Sequence, residues 1–156
     1  MRIRLIAAAA VGAIAALAIA PLVSGQGNLR GKVLFAVMTG NAEVDQQGER
    51  GAGDRNGKGS FTALVDGGQL CFGVTVRNIE DPIAAHIHRG GPNVAGDIVV
   101  PLDHPSSGDP GTSSGCTDVS AAQARSLLRR PGRFYVNVHT DSFPGGAVRG
   151  QLFARR

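Results

Sequence analysis

The sequence predicts an all-β fold, an antiparallel Greek-key β-sandwich of about seven to eight strands with one short inserted α-helix. Three observations carry that expectation. Short runs of alternating apolar and polar residues recur between glycine- and proline-rich turns from Lys32 to Phe153. One segment alone, Ser120 to Arg130, has a helix start, an amphipathic body and a stop. Two cysteines, Cys71 and Cys116, are the number that one structural bridge needs.

The N-terminus bears on the compartment. Arg2 and Arg4 precede an apolar run from Leu5 to Ala20, followed by Pro21-Leu22-Val23-Ser24-Gly25. This is the pattern of a secretory signal peptide over residues 1–25, and Val23 and Gly25 at the recognition positions start the mature chain near Gln26. No cysteine follows the run, so no lipid-modified N-terminus is expected. The alternative is an uncleaved membrane anchor, since Leu5 to Val23 approaches the roughly 18 to 20 residues that span a bilayer. Weakly apolar alanines and Pro21 speak against it. Residues 26–156 then amount to one domain.

Export places that domain outside the cytoplasm, either secreted, at the cell surface or in a periplasm. There Cys71 and Cys116 are expected to pair. The bridge would close a loop of about 45 residues, worth about 4 kcal/mol by chain entropy. The net charge of +4 includes Arg2 and Arg4. Arg125, Arg129, Arg130, Arg133 and the terminal Arg155-Arg156 are not interleaved with aromatics, so nucleic acid is not an expected partner.

Along the chain, Lys32 to Met38 alternates as a first strand and ends at the turn cluster Thr39-Gly40-Asn41. Gln46 to Gly59 holds five glycines and no large apolar residue, and reads as a long loop. Its Asp54 to Gly59 stretch has a lysine where a calcium loop needs an oxygen, and reads as turn residues. Ser60 to Val65 and Gln69 to Val76 flank Asp66-Gly67-Gly68 as a hairpin, with the Cys71 thiol on the side away from Leu70, Phe72 and Val74. A strand at Ala85 to Arg89 turns at Gly90-Gly91-Pro92-Asn93 into another at Asp97 to Leu102. Ser120-Ala121-Ala122-Gln123 is a capping box opening a helix over Ala121 to Arg130, which Pro131-Gly132 ends. Phe134 to Thr140 and Ala147 to Phe153 form the last hairpin across Phe143-Pro144-Gly145-Gly146. One tyrosine and no tryptophan are present, so the sandwich is not of the immunoglobulin type with its Trp packed on a disulfide.

The residues that carry chemistry sit on two of these strands. In Ala85-His86-Ile87-His88, strand alternation turns His86 and His88 to one face. In Phe134 to Thr140 it puts Tyr135, Asn137 and His139 on one face. Three imidazoles from two strands suit copper or zinc with an open fourth position. The plainer reading is that they hydrogen-bond to backbone or carboxylate groups, Glu43 or Asp141 among them, and pin the strands together. Asn137 and Arg149 complete the candidate surroundings of the site, along with Glu43 and Asp141. His104, in Leu102-Asp103-His104-Pro105, reads as an exposed loop residue. No nucleophile elbow and no phosphate-binding glycine loop occur, so no catalytic residue is assigned.

The motifs Ala85-His86-Ile87-His88-Arg89-Gly90, Gly96 to Leu102, Tyr135 to Thr140 with Phe143-Pro144-Gly145-Gly146, and Arg149-Gly150-Gln151-Leu152 together resemble the chordin-type, or CHRD, domain family. The likeness runs from about Lys32 to Phe153. One departure is Glu43-Val44, where the family usually has Glu followed by Pro. The resemblance implies an extracellular setting and a binding or structural module without demonstrated catalysis, its partner an extracellular protein or surface component. Contact with a membrane is expected only if the N-terminal segment is retained. The histidine pattern also resembles, more distantly, the copper,zinc superoxide dismutase sandwich. That resemblance implies copper at His86, His88 and His139, while the bridging histidine and the zinc set have no counterpart.

Overall fold

A computed structural model describes residues 32–154, so the expected signal peptide and the Arg155-Arg156 pair lie outside the described residues. The elements are β1 (Val33–Thr39), β2 (Lys58–Asp66), β3 (Gln69–Arg77), β4 (Pro82–Arg89), β5 (Ile98–Leu102), β6 (Gly111–Asp118), α1 (Ala121–Arg129), β7 (Phe134–Thr140), β8 (Val148–Gln151) and β9 (Phe153–Ala154). Single 3₁₀ turns follow β1 and precede β7. All strand pairs are antiparallel, in the order β5-β4-β7-β8-β1-β2-β3-β6, with β9 alongside β1. The links from β3 to β4, from β5 to β6, and from β6 through α1 to β7 cross between the two halves. The edge strands β5 and β6 approach each other, so the sheet nearly closes into a flattened barrel.

Alternation builds the core. On β1 Leu34, Ala36 and Met38 point inward, and on β3 Leu70, Phe72, Val74 and Val76 do. They meet Ala85 and Ile87 of β4 and Val136 and Val138 of β7 in one continuous apolar cluster. Burying such a side chain is worth about 1.5–3 kcal/mol. Helix α1 opens with the expected capping box: the Gln123 N–H donates to Ser120 Oγ at 3.2 Å, and the Ser120 N–H to Gln123 Oε1 at 2.8 Å. Leu127 plugs the core, while Arg125, Arg129 and Arg130 face solvent. Asp54 accepts the Asn56 N–H in a local turn, as its sequence context predicts.

Two elements differ from expectation. Gly111–Asp118, to which the sequence pattern assigns no element, forms β6, an edge strand paired with β3 over eight residues from Gln69↔Asp118 to Val76↔Gly111. Its Thr, Ser and Gly residues alternate between half-buried and exposed, so no apolar period marks it, and pairing with β3 makes it a strand. The last expected strand divides into β8 and β9 at Leu152, whose N–H turns to the carbonyl of Phe134 at 2.9 Å.

Cys71 and Cys116 are directly opposite in the β3/β6 register and joined by a disulfide, which fastens the edge strand with weakest apolar support. Replacing both cysteines with serine is expected to cost about 2–4 kcal/mol of unfolding free energy by denaturant titration. An unchanged midpoint and slope would contradict this role.

Candidate metal centre

The site lies on the outside of the barrel. Where Ile87, Val136 and Val138 point inward, their neighbours His86, His88, Tyr135, Asn137 and His139 point outward, joined by Arg149 and Gln151 of β8. The register sets His88 opposite Tyr135, His86 opposite Asn137, and Asn137 opposite Arg149. An outward face is normally wet, yet every residue of β7 is buried. Three loops cover it: residues 40–57, 90–97 and 141–147.

Those loops supply backbone carbonyls that order the histidines. His88 Nδ1 lies 2.9 Å from the Gly96 carbonyl oxygen, and His139 Nδ1 lies 2.9 Å from that of Pro144. A carbonyl only accepts, so both rings carry their proton on Nδ1 and leave Nε2 as an acceptor lone pair. His86 Nδ1 lies 3.2 Å from His139 Nε2. One nitrogen from each of the three rings falls within 4.8 Å of the others. His88 Nε2 is fully buried and has no hydrogen-bond partner. An orphaned buried acceptor costs about 1–3 kcal/mol, so this lone pair is an expense that the fold itself does not explain.

Burial holds all three imidazoles toward the neutral form. It is the largest cause of each lowered pKa, and takes His86 down to about 4 with help from the neighbouring His139 and His88. Neutral imidazole is the form that binds a metal. The carbonyls of Gly96 and Pro144 oppose the shift on their own partners.

Beside the histidines runs a second buried network. Glu43, at the end of the first 3₁₀ turn, accepts the Val44 N–H at 3.0 Å and the Asn137 amide at 2.7 Å, and faces Arg149 Nη1 at 3.8 Å. Burial raises the Glu43 pKa and lowers that of Arg149, and the attraction between them opposes both shifts. Gly146 allows this closeness, because a β-carbon there would collide with Glu43 Oε2 and the Asn137 amide. The Arg149 guanidinium sits 3.4 Å above the Tyr135 ring, which stacks on His88 at 4.8 Å between ring centroids.

Of the residues singled out in the sequence, His86, His88 and His139 come together, and Glu43, Asn137 and Arg149 form the adjoining network. Asp141 does not join them: it lies exposed beyond the end of β7. Among the described residues no carboxylate hydrogen-bonds to the three histidines; His88 and His139 meet carbonyls through Nδ1, and His86 meets the His139 ring. His104 is exposed and turned to the carbonyl of Pro105. Three contributors went unassigned in the sequence. Tyr135 is the chain's one tyrosine and shares a face with Asn137 and His139, which was a usable signal. Gly96 and Gln151 act through or upon backbone carbonyls and carried none.

The lowered imidazole pKa values make a prediction with a definite sign. An unfolded histidine titrates near 6.5. Between that pH and about 4 the unfolded chain binds more protons than the native one, so stability falls as pH drops through this window. Glu43, raised rather than lowered, works in the opposite direction but is one group against three. The Tm of metal-free protein is expected to decline from pH 7 to 4, and to decline less in His86→Gln. Equal declines in the two proteins would refute the assignment.

The CHRD domain model matches residues 34–152, from within β1 to the break between β8 and β9. No curated protein matches the chain. Both histidine strands and all three covering loops fall within the matched span, and the chain belongs to the CHRD domain family.

Proposed function

We propose that the chain is an exported CHRD module, a binding domain rather than a catalyst, and that the ligand of its histidine face is a copper or zinc ion held by His86, His88 and His139. The observation that carries the metal reading is the bare, buried and unpartnered Nε2 of His88, in a ring whose other nitrogen is committed to Gly96. A histidine serving only to pin two strands would use both nitrogens or expose one to water. Metal-binding imidazoles instead give one nitrogen to the ion and the other, as N–H, to a carbonyl or carboxylate, which fixes the tautomer and the ring. His88 and His139 both have that arrangement.

The donor set fits copper or zinc. Three neutral nitrogens without thiolate or oxygen suit these borderline ions and not calcium or magnesium. With three protein ligands a fourth position stays available on the half-buried His86 side. A metal there would supply Lewis-acid or, for copper, one-electron chemistry. What the protein supplies is orientation and exclusion of water.

Export and single-domain organisation over residues 26–156 are supported by the arginine-flanked apolar leader, the Cys71–Cys116 bridge and the family's extracellular character. Among the described residues no helix is long and apolar enough to cross a membrane. The partner of the module as a whole is an extracellular protein or surface component.

Purified protein dialysed against Cu(II) or Zn(II) is expected to retain about one equivalent, and His88→Ala to retain almost none. Less than about a tenth of an equivalent in the wild type overturns the metal reading. Secretion of a shortened chain, read by mass spectrometry of the culture supernatant, is expected to give a start near Gln26.

A further inference from the structure

Loop 90–97 is bound to the outer face of the barrel by side chains of β7, β8 and β4. Arg149 Nη2 donates to the carbonyl of Gly91 at 2.7 Å and to that of Val94 at 3.1 Å. Gln151 donates to the carbonyl of Gly90 at 2.7 Å. The hydroxyl of Tyr135 accepts the Gly96 N–H at 3.1 Å, while the carbonyl of the same residue meets His88 Nδ1. Gly96 packs so tightly on the Arg89 carbonyl that a β-carbon would overlap it. Both polar atoms of one residue in the loop are thus clamped, one by the tyrosine that stacks on His88 and the other by His88 itself.

Loop anchoring does not require this construction. Burying a guanidinium is costly before its partners are counted, and an apolar side chain of similar volume often holds a structure as well. Arg149 is 1% exposed, and its Nη1 has no hydrogen bond. An apolar residue, however, could neither gather two loop carbonyls nor lie as a cation on the Tyr135 face, a contact that strengthens when desolvated. Guanidinium, phenol and imidazole form a single three-layer stack, with the loop closed over its edge.

We infer that Arg149 and Tyr135 are positioning residues for His88. They hold loop 90–97 so that the Gly96 carbonyl fixes the His88 proton on Nδ1 and keeps Nε2 bare for the ion. This inference rests on the metal reading above and adds that the site's affinity is set by a loop containing none of its ligands. The guanidinium does not touch the histidines; it acts through the ring and the loop. Loss of the Gly96 contact lets the His88 proton move to Nε2, where it blocks coordination.

The test uses nitrogen-15-labelled protein, with long-range proton–nitrogen correlation of the imidazoles at neutral pH and Cu(II) competition against a chelator. Wild type is expected to show His88 with Nδ1 protonated. Arg149→Lys is expected to bring in the Nε2-protonated form and to weaken Cu(II) binding about 10- to 100-fold, the usual effect of removing outer support from a ligand. Tyr135→Phe keeps the stack and loses one hydroxyl, so it guards against misfolding of the lysine variant. Its expected loss is about 2- to 10-fold, the worth of one neutral hydrogen bond. A wild type whose His88 carries its proton on Nε2 overturns the inference. So do folded variants that match wild type in both tautomer and affinity. A wild type that takes up no copper overturns the metal reading and the inference with it.

Discussion

The structure depends on one constraint: strand β7 is buried on both faces, and only one of them is apolar. Inward, Phe134, Val136 and Val138 join the core. Outward, Tyr135, Asn137 and His139 are polar, and loops exclude water from them. Dry polar groups must find partners or cost about 1–3 kcal/mol each. The surrounding features answer that demand. Loop carbonyls take the ring N–H of His88 and His139, Asn137 reaches Glu43, and the charge of Glu43 faces that of Arg149. Pairing stops at four buried atoms, Asn137 Oδ1, Thr140 Oγ1, Arg149 Nη1 and His88 Nε2, and of these the bare imidazole nitrogen is the one with a clear use for an added ion.

Much of this was legible in the sequence where the signal is periodic. His86 and His88 share a face because strand side chains alternate, and the same rule placed Tyr135, Asn137 and His139 together. The capping box at Ser120 and Gln123 and the turn at Gly67-Gly68 were readable because their geometry needs particular residues. The cysteine pair was readable from count and compartment. Strand β6 was not, since Gly111 to Asp118 has no apolar period and owes its conformation to β3 and the disulfide. Asp141 reads in the sequence as a carboxylate partner for the histidines, like Glu43, but it lies exposed beyond the end of β7.

The covering of the site was the least legible part, for a physical reason. The groups that order the histidines are carbonyls of Gly96 and Pro144, and every residue has a carbonyl. What sequence does encode is permission for close approach: glycine at 96, against the Arg89 carbonyl, and at 146, over the Glu43–Asn137 pair. Those glycines read as ordinary turn residues until the loops are seen lying on the sheet. The family match spans the same strands and loops, so the polar outer face belongs to the shared domain and not to an appendage.

The central claim is that three imidazoles, their tautomers set by loop carbonyls and by burial, converge as a nitrogen-only donor set. X-ray absorption at the metal edge of copper-loaded or zinc-loaded protein tests it most directly. Three imidazole nitrogens at about 2.0–2.1 Å, with one light atom completing the shell, are expected. A shell containing sulfur, or fewer than three imidazoles, would contradict the account.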